Sequence, residues 1–120
     1  MAAAGRARRE PELVFTIDKS MAEVLGELRL LVTHGGTRRV TGAGLTVLEE
    51  RWGLLFAYGT TRCTLWTARL VFEQAGIELR GRVTVDRPRS PFGRAAMVAL
   101  LDGIRQTVLD IDKDARIIVP

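Results

Sequence analysis

Between Ile77 and Asp86 the chain alternates without a break. Ile77, Leu79, Gly81, Val83 and Val85 take one parity, and Glu78, Arg80, Arg82, Thr84 and Asp86 take the other. A period of two sends successive side chains to opposite faces, so this stretch describes a strand buried on one side and solvated on the other. A strand of this length needs a long partner. The run Thr64–Glu73, dense in Thr, Trp, Val and Phe, supplies one through a turn near Gln74–Gly76. Pairing Glu73 with Glu78 gathers Trp66, Ala68, Leu70 and Phe72 on one face with Leu79, Gly81, Val83 and Val85, whereas a slip of one residue would bring charges into it.

Further strands extend the pattern upstream. Tyr58-Gly59-Thr60-Thr61 predicts a two-residue type II′ turn that pairs Leu54–Tyr58 with the start of the same strand. Leu45–Glu50 reads as another strand, although the spacing of Leu45, Leu48, Trp52 and Leu55 also suits a helix. Leu13–Ile17, closed by Asp18, reads as the first strand, and Ala115–Val119 as a short terminal one.

Two helices complete the pattern. Ser20 and Glu23 form an S-x-x-E capping box ahead of the stripe Met21, Val24, Leu25, Leu28, Leu31 and Val32, and His34-Gly35-Gly36 supplies the stop. Ser90 and Pro91 suit an N-cap and first helical position, after which Met97, Leu100, Leu101, Ile104, Val108 and Ile111 recur at helical spacing as far as about Asp110. With 120 residues, 47% hydrophobic and 27% charged, the chain is expected to form a single α+β domain over residues 13–120 behind a disordered tail at 1–12.

The order strand, helix, antiparallel strands, long helix resembles the helix-grip and TATA-binding-protein-like families over roughly residues 13–112. The elements read from the residues make a mainly antiparallel sheet of four or five strands, gripped by helices near 20–33 and 91–110, and the likeness agrees with it. That likeness is architectural and carries no function across. A second, conflicting resemblance is local. From Gly59 to Ile77 the chain is similar to the recognition-helix segment of winged helix-turn-helix regulators, with Leu65, Ala68 and Phe72 inward and Arg62, Thr64 and Arg69 implied to contact DNA. It departs from that family where a hairpin wing should follow, because only Gly81 interrupts Ile77–Asp86.

Composition bears mainly on partners and compartment. The net charge is +4, and sixteen of the eighteen basic residues are arginine. Residues 37–94 carry ten basic against five acidic side chains, so the excess lies in the middle. A central basic surface attracts phosphate, and Arg80 with Arg82 would carry that attraction on a sheet surface. The longest apolar run, Ala95–Leu101, falls short of the roughly 18 residues that span a bilayer, so no membrane crossing is expected. The single Cys63 cannot form an internal disulfide, and the amino-terminal segment lacks an apolar core, which together predict a cytoplasmic protein.

Motifs that would carry chemistry are incomplete. Asp110-Ile-Asp112-Lys-Asp114 opens like a calcium loop but has Ala115 where Gly belongs, and it reads as a solvated helix end. Gly42-Ala-Gly44 lacks the third glycine of a dinucleotide fingerprint and reads as a turn or bulge. One histidine, His34, and one cysteine, expected buried, define neither a zinc site nor a nucleophile pair. No metal, cofactor or catalytic residue is assigned.

These observations predict a non-enzymatic binding or assembly module acting through its sheet and holding an apolar ligand between sheet and C-terminal helix. A winged-helix DNA-binding protein is the alternative, and a helix-grip enzyme with an unrecognised pocket comes third. The expected turn at Gly59–Thr60 sends Leu54, Phe56 and Cys63 with Leu65 and Val71 to the face away from the helices. An apolar second face needs a cover, so these five residues are the expected interface of a homodimer or protein partner.

Overall fold

The computed structural model describes residues 10–33, 44–60, 62–86 and 91–119. Within these residues six strands and two helices follow in chain order: β1 (Leu13–Ile17), α1 (Met21–Thr33), β2 (Leu45–Glu50), β3 (Gly53–Gly59), β4 (Thr64–Ala75), β5 (Glu78–Asp86), α2 (Pro91–Ile111) and β6 (Arg116–Ile118). The strands form one antiparallel sheet in the order β2-β3-β4-β5-β1-β6. The α+β class is as expected, with one strand more than the upper count: β6 pairs Phe15 with Ile117 and covers the outer edge of β1. Because Thr64–Ala75 is strand, residues 59–77 hold no recognition helix, and the winged-helix architecture is overturned.

The long hairpin keeps the expected faces with a register two residues from the expected one. Ala75 pairs with Glu78 and Glu73 with Arg80, around a turn at Gly76–Ile77. Gly76 has φ +67°, which the first position of a type II′ turn demands and a side chain resists. Since a shift of two preserves parity, Phe72 still lies with Gly81 and Leu70 with Val83.

Both helices pack on this face. Trp66, Ala68, Leu70, Leu79, Val83, Phe15 and Ile17 share a single core with Val24, Leu28 and Leu31 of α1 and Leu100, Ile104 and Val108 of α2. Phe15 on β1 and Phe72 on β4 meet edge to face, with centroids 6.0 Å apart, across β5. Their contact requires the gap at Gly81, which pairs with both, because a Cβ there would enter the Phe15 ring. At the helix ends, the Ser20 hydroxyl accepts the Glu23 N–H at 3.2 Å, and the buried Trp66 indole N–H donates to the Gly93 carbonyl at 2.7 Å. The C-cap expected at His34–Gly36 and the N-cap at Ser90 lie outside the described residues.

Two local readings change. Thr60 and Cys63 exchange backbone hydrogen bonds, so the β3–β4 turn falls two residues later than Gly59–Thr60. Beyond it, Gly59 pairs with Thr64 but Tyr58 with Trp66, which leaves Leu65 as an extra residue on β4. At the other end of the chain, Glu12 is already held, its N–H donating to the Val83 carbonyl at 2.7 Å.

Candidate functional site

The extra residue at Leu65 decides the fate of the expected interface. It reverses the parity of β3 relative to β4, so Leu54 pairs with Leu70 and Phe56 with Ala68, and both are fully buried in the core. Cys63 lies exposed in the turn and not in the core, while Leu65 is half-buried. Val71 alone of the five stands exposed on the outer face, across from Gly53. The structure therefore does not bring these residues together as one apolar surface.

Instead, the outer face carries ion pairs among exposed apolar side chains such as Leu48 and Val71. Arg69 holds Glu50 through two hydrogen bonds, of 2.9 and 3.3 Å. Arg80 and Arg82 converge on Glu73 at 3.3 and 3.4 Å, and Arg116 reaches Glu78 at 2.9 Å. Of the side chains expected to contact nucleic acid, Arg69, Arg80 and Arg82 are thus matched by carboxylates, and Arg62 and Thr64 are exposed near the β3–β4 turn. Arg38, Arg39, Arg87 and Arg89 of the central excess, and His34, lie outside the described residues. Among the described residues no three His, Cys, Asp or Glu side chains come together for a metal ion. The Asp110–Asp114 segment ends α2 and turns into β6, with Asp112 Oδ1 accepting the Asp114 N–H at 3.0 Å.

A recess forms where strand lengths fail to match. The β3–β4 ladder ends at Gly53 opposite Val71, extended by one bond from the Phe72 N–H to the Trp52 carbonyl at 2.7 Å. The longer β4 continues, and Glu73, Gln74 and Ala75 pair only with β5. In the resulting notch of about 410 Å³ the lining is chiefly Met21 from the start of α1, Trp52 from the β2–β3 turn, Phe72 and Gln74 from β4, and Leu79 from β5. Trp52 is 56% exposed at its rim, with the Arg51 guanidinium 5.5 Å from the ring centre. Gln74 Nε2 donates to the Gly76 and Glu78 carbonyls at 3.1 and 3.0 Å, which fixes the hairpin end beside the notch.

Two other recesses are more polar. One of about 400 Å³ lies at the opposite end of the sheet, among Thr46, Tyr58, Thr60 and Thr64, where Tyr58 stacks on Trp66 at 5.5 Å. A smaller one of about 220 Å³ on the outer face is lined by Thr67, Arg69, Thr84 and Asp86. The notch residues come from separate elements with no common spacing, so sequence periodicity could not assemble them. The available signals were an exposed-type tryptophan in a two-residue turn and the greater length of β4 over β3. No protein-family model matches the chain, and no curated protein matches it.

Proposed function

We propose that the protein is a binding module whose site is the notch between Trp52, Met21, Phe72 and Leu79. The supporting observation is a recess of about 410 Å³ with apolar walls and a large aromatic side chain held half in solvent at its rim. Burial of such a side chain by a ligand removes apolar surface from water at about 25 cal/mol per Å². The volume suits a compact molecule, since small-molecule sites commonly run from about 300 to 1,000 Å³. On this reading the apolar ligand lies beside the N-terminal helix rather than between sheet and C-terminal helix.

The test uses the chain's own two tryptophans. Titration with ethylbenzene, followed by NMR, should shift the Trp52 indole N–H while Trp66, buried and bonded to Gly93, stays in place. Trp52→Ala should abolish saturable binding without unfolding the chain. Movement of the Trp66 signal alone would put the site elsewhere.

Self-association through the sheet is a second reading, favoured by Leu48, 63% exposed and paired with Leu55 on the outer face, and by Val71 at 44%. Its basis is narrower than a face bearing Leu54 and Phe56 would provide. Leu48→Lys should then lower the mass seen by light scattering.

A further inference from the structure

The notch has a polar wall as well as apolar ones, and that wall is main chain. In an antiparallel ladder a residue directs its N–H and C=O to one neighbouring strand, and the next residue directs its own to the other. The Phe72 N–H bonds Trp52 on the β3 side, so the groups of Gln74, two residues on, also face that side. The β3–β4 ladder has already ended there. The Gln74 N–H and C=O thus lie side by side on an open strand edge, while its side-chain amide is engaged along the hairpin. Strand edges of this kind are templates for further hydrogen bonding.

We propose that the ligand of the notch is a compact apolar small molecule bearing an adjacent hydrogen-bond donor and acceptor, as in a primary amide, lactam or imide. Its planar polar end would take the place that the next residue of β3 would have occupied, donating to the Gln74 carbonyl and accepting from the Gln74 N–H. Its apolar body would then lie against Trp52, Met21 and Leu79. A peptide strand is the poorer occupant. The open edge runs only from Glu73 to Ala75, between the turns at Arg51–Trp52 and Gly76–Ile77, and offers one outward-facing pair of groups.

This assignment rests on the notch being the binding site, and the experiment separates the two. Benzamide, acetophenone and ethylbenzene are titrated in turn into the full-length isotope-labelled chain, with the Gln74 amide and Trp52 indole signals followed by NMR. Benzamide should shift both saturably, and acetophenone, which keeps the carbonyl but lacks the donor, should bind about fivefold more weakly, the worth of one net hydrogen bond. Gln74→Pro removes the N–H without removing a bond to β5, a change that edge positions tolerate, and should erase the preference for benzamide. Gln74→Ala should keep it. If Gln74→Pro fails to fold, the benzamide to acetophenone ratio on the unaltered chain decides. Equal affinity for the two overturns the hydrogen-bonding assignment and leaves the apolar notch standing. Binding by none of the three overturns both. Shifts of the same signals on concentrating the protein alone would make a second copy the occupant, and would overturn the small-molecule assignment.

Discussion

The two faces of the sheet present different chemistries, which alternate residue by residue along β4 and β5. On the helix side Phe15, Leu54, Phe56, Leu70 and Val83 are no more than 1% exposed. On the other side the paired side chains of Glu50 and Arg69, Glu73 with Arg80 and Arg82, and Glu78 and Arg116 are 31–67% exposed. The first face is governed by shape, since dense packing leaves no alternative position for a ring. The second is governed by charge balance in high dielectric, where partners are exchangeable and weakly coupled. The notch falls at a margin where both meet, because an overlong β4 exposes its edge together with the start of α1.

The sharpest break between the faces should come at the Phe15–Gly81–Phe72 row. Phe15→Ala should lower unfolding free energy by about 4 kcal/mol through lost burial and the cavity left behind. Gly81→Ala should cost about 2 kcal/mol by forcing the Phe15 ring aside. If the collision is the cause, Gly81→Ala combined with Phe15→Leu should destabilise by less than the sum of the single changes, since contacting residues couple. Urea unfolding measures the unaltered chain, the single variants Phe15→Ala, Phe15→Leu and Gly81→Ala, and the double variant. Strict additivity would show that Gly81 serves some purpose other than making room for the ring.

The same contrast explains what could be read in advance. Alternation in Ile77–Asp86 reports which side chains share a face, and those faces are observed, but parity is blind to a displacement of two, so the register with β4 was not legible. Leu54 and Phe56 failed for a different reason. Their face depends on the extra residue at Leu65, and nothing in Gly59-Thr60-Thr61-Arg62-Cys63 distinguishes a plain turn from a later turn followed by a bulge. Helix α1 was legible because Ser20 and Glu23 sit ahead of a regular stripe, with the capping bond at 3.2 Å. The notch was not, because it depends on where β3 stops relative to β4, a long-range property of pairing.

Within the buried layer Thr107 breaks the rule. It is 1% exposed, and its hydroxyl has no hydrogen-bond partner among the described residues. A buried hydroxyl without a partner carries an uncompensated desolvation cost, and valine replaces it at nearly the same shape. Thr107→Val should raise unfolding free energy by about 1 kcal/mol, against the trend of most core substitutions. Thermal unfolding followed by circular dichroism reads the sign directly. A loss of stability would mean that the hydroxyl is satisfied in solution, and the inner face would then have no exception.

The smallest effect should come from the residue on which the outer face converges. Glu73 accepts from Arg80 at 3.3 Å and faces Arg82 at 3.4 Å, yet its side chain is 53% exposed. Exposed pairs contribute roughly 0.2–1 kcal/mol, because water already solvates the charges and two long side chains must be ordered to meet. Glu73→Gln keeps the shape and removes the charge, so about 0.5 kcal/mol should be lost at low ionic strength. The difference between the two chains should then shrink at 1 M salt, where the screening length falls to about 3 Å. Glu73 also borders the notch, and its replacement leaves Arg80 and Arg82 uncompensated beside it. Binding of uncharged ethylbenzene should be unaffected by this change. A loss of several kcal/mol that persists in high salt would mean that charge on the outer face is organised as tightly as packing on the inner one.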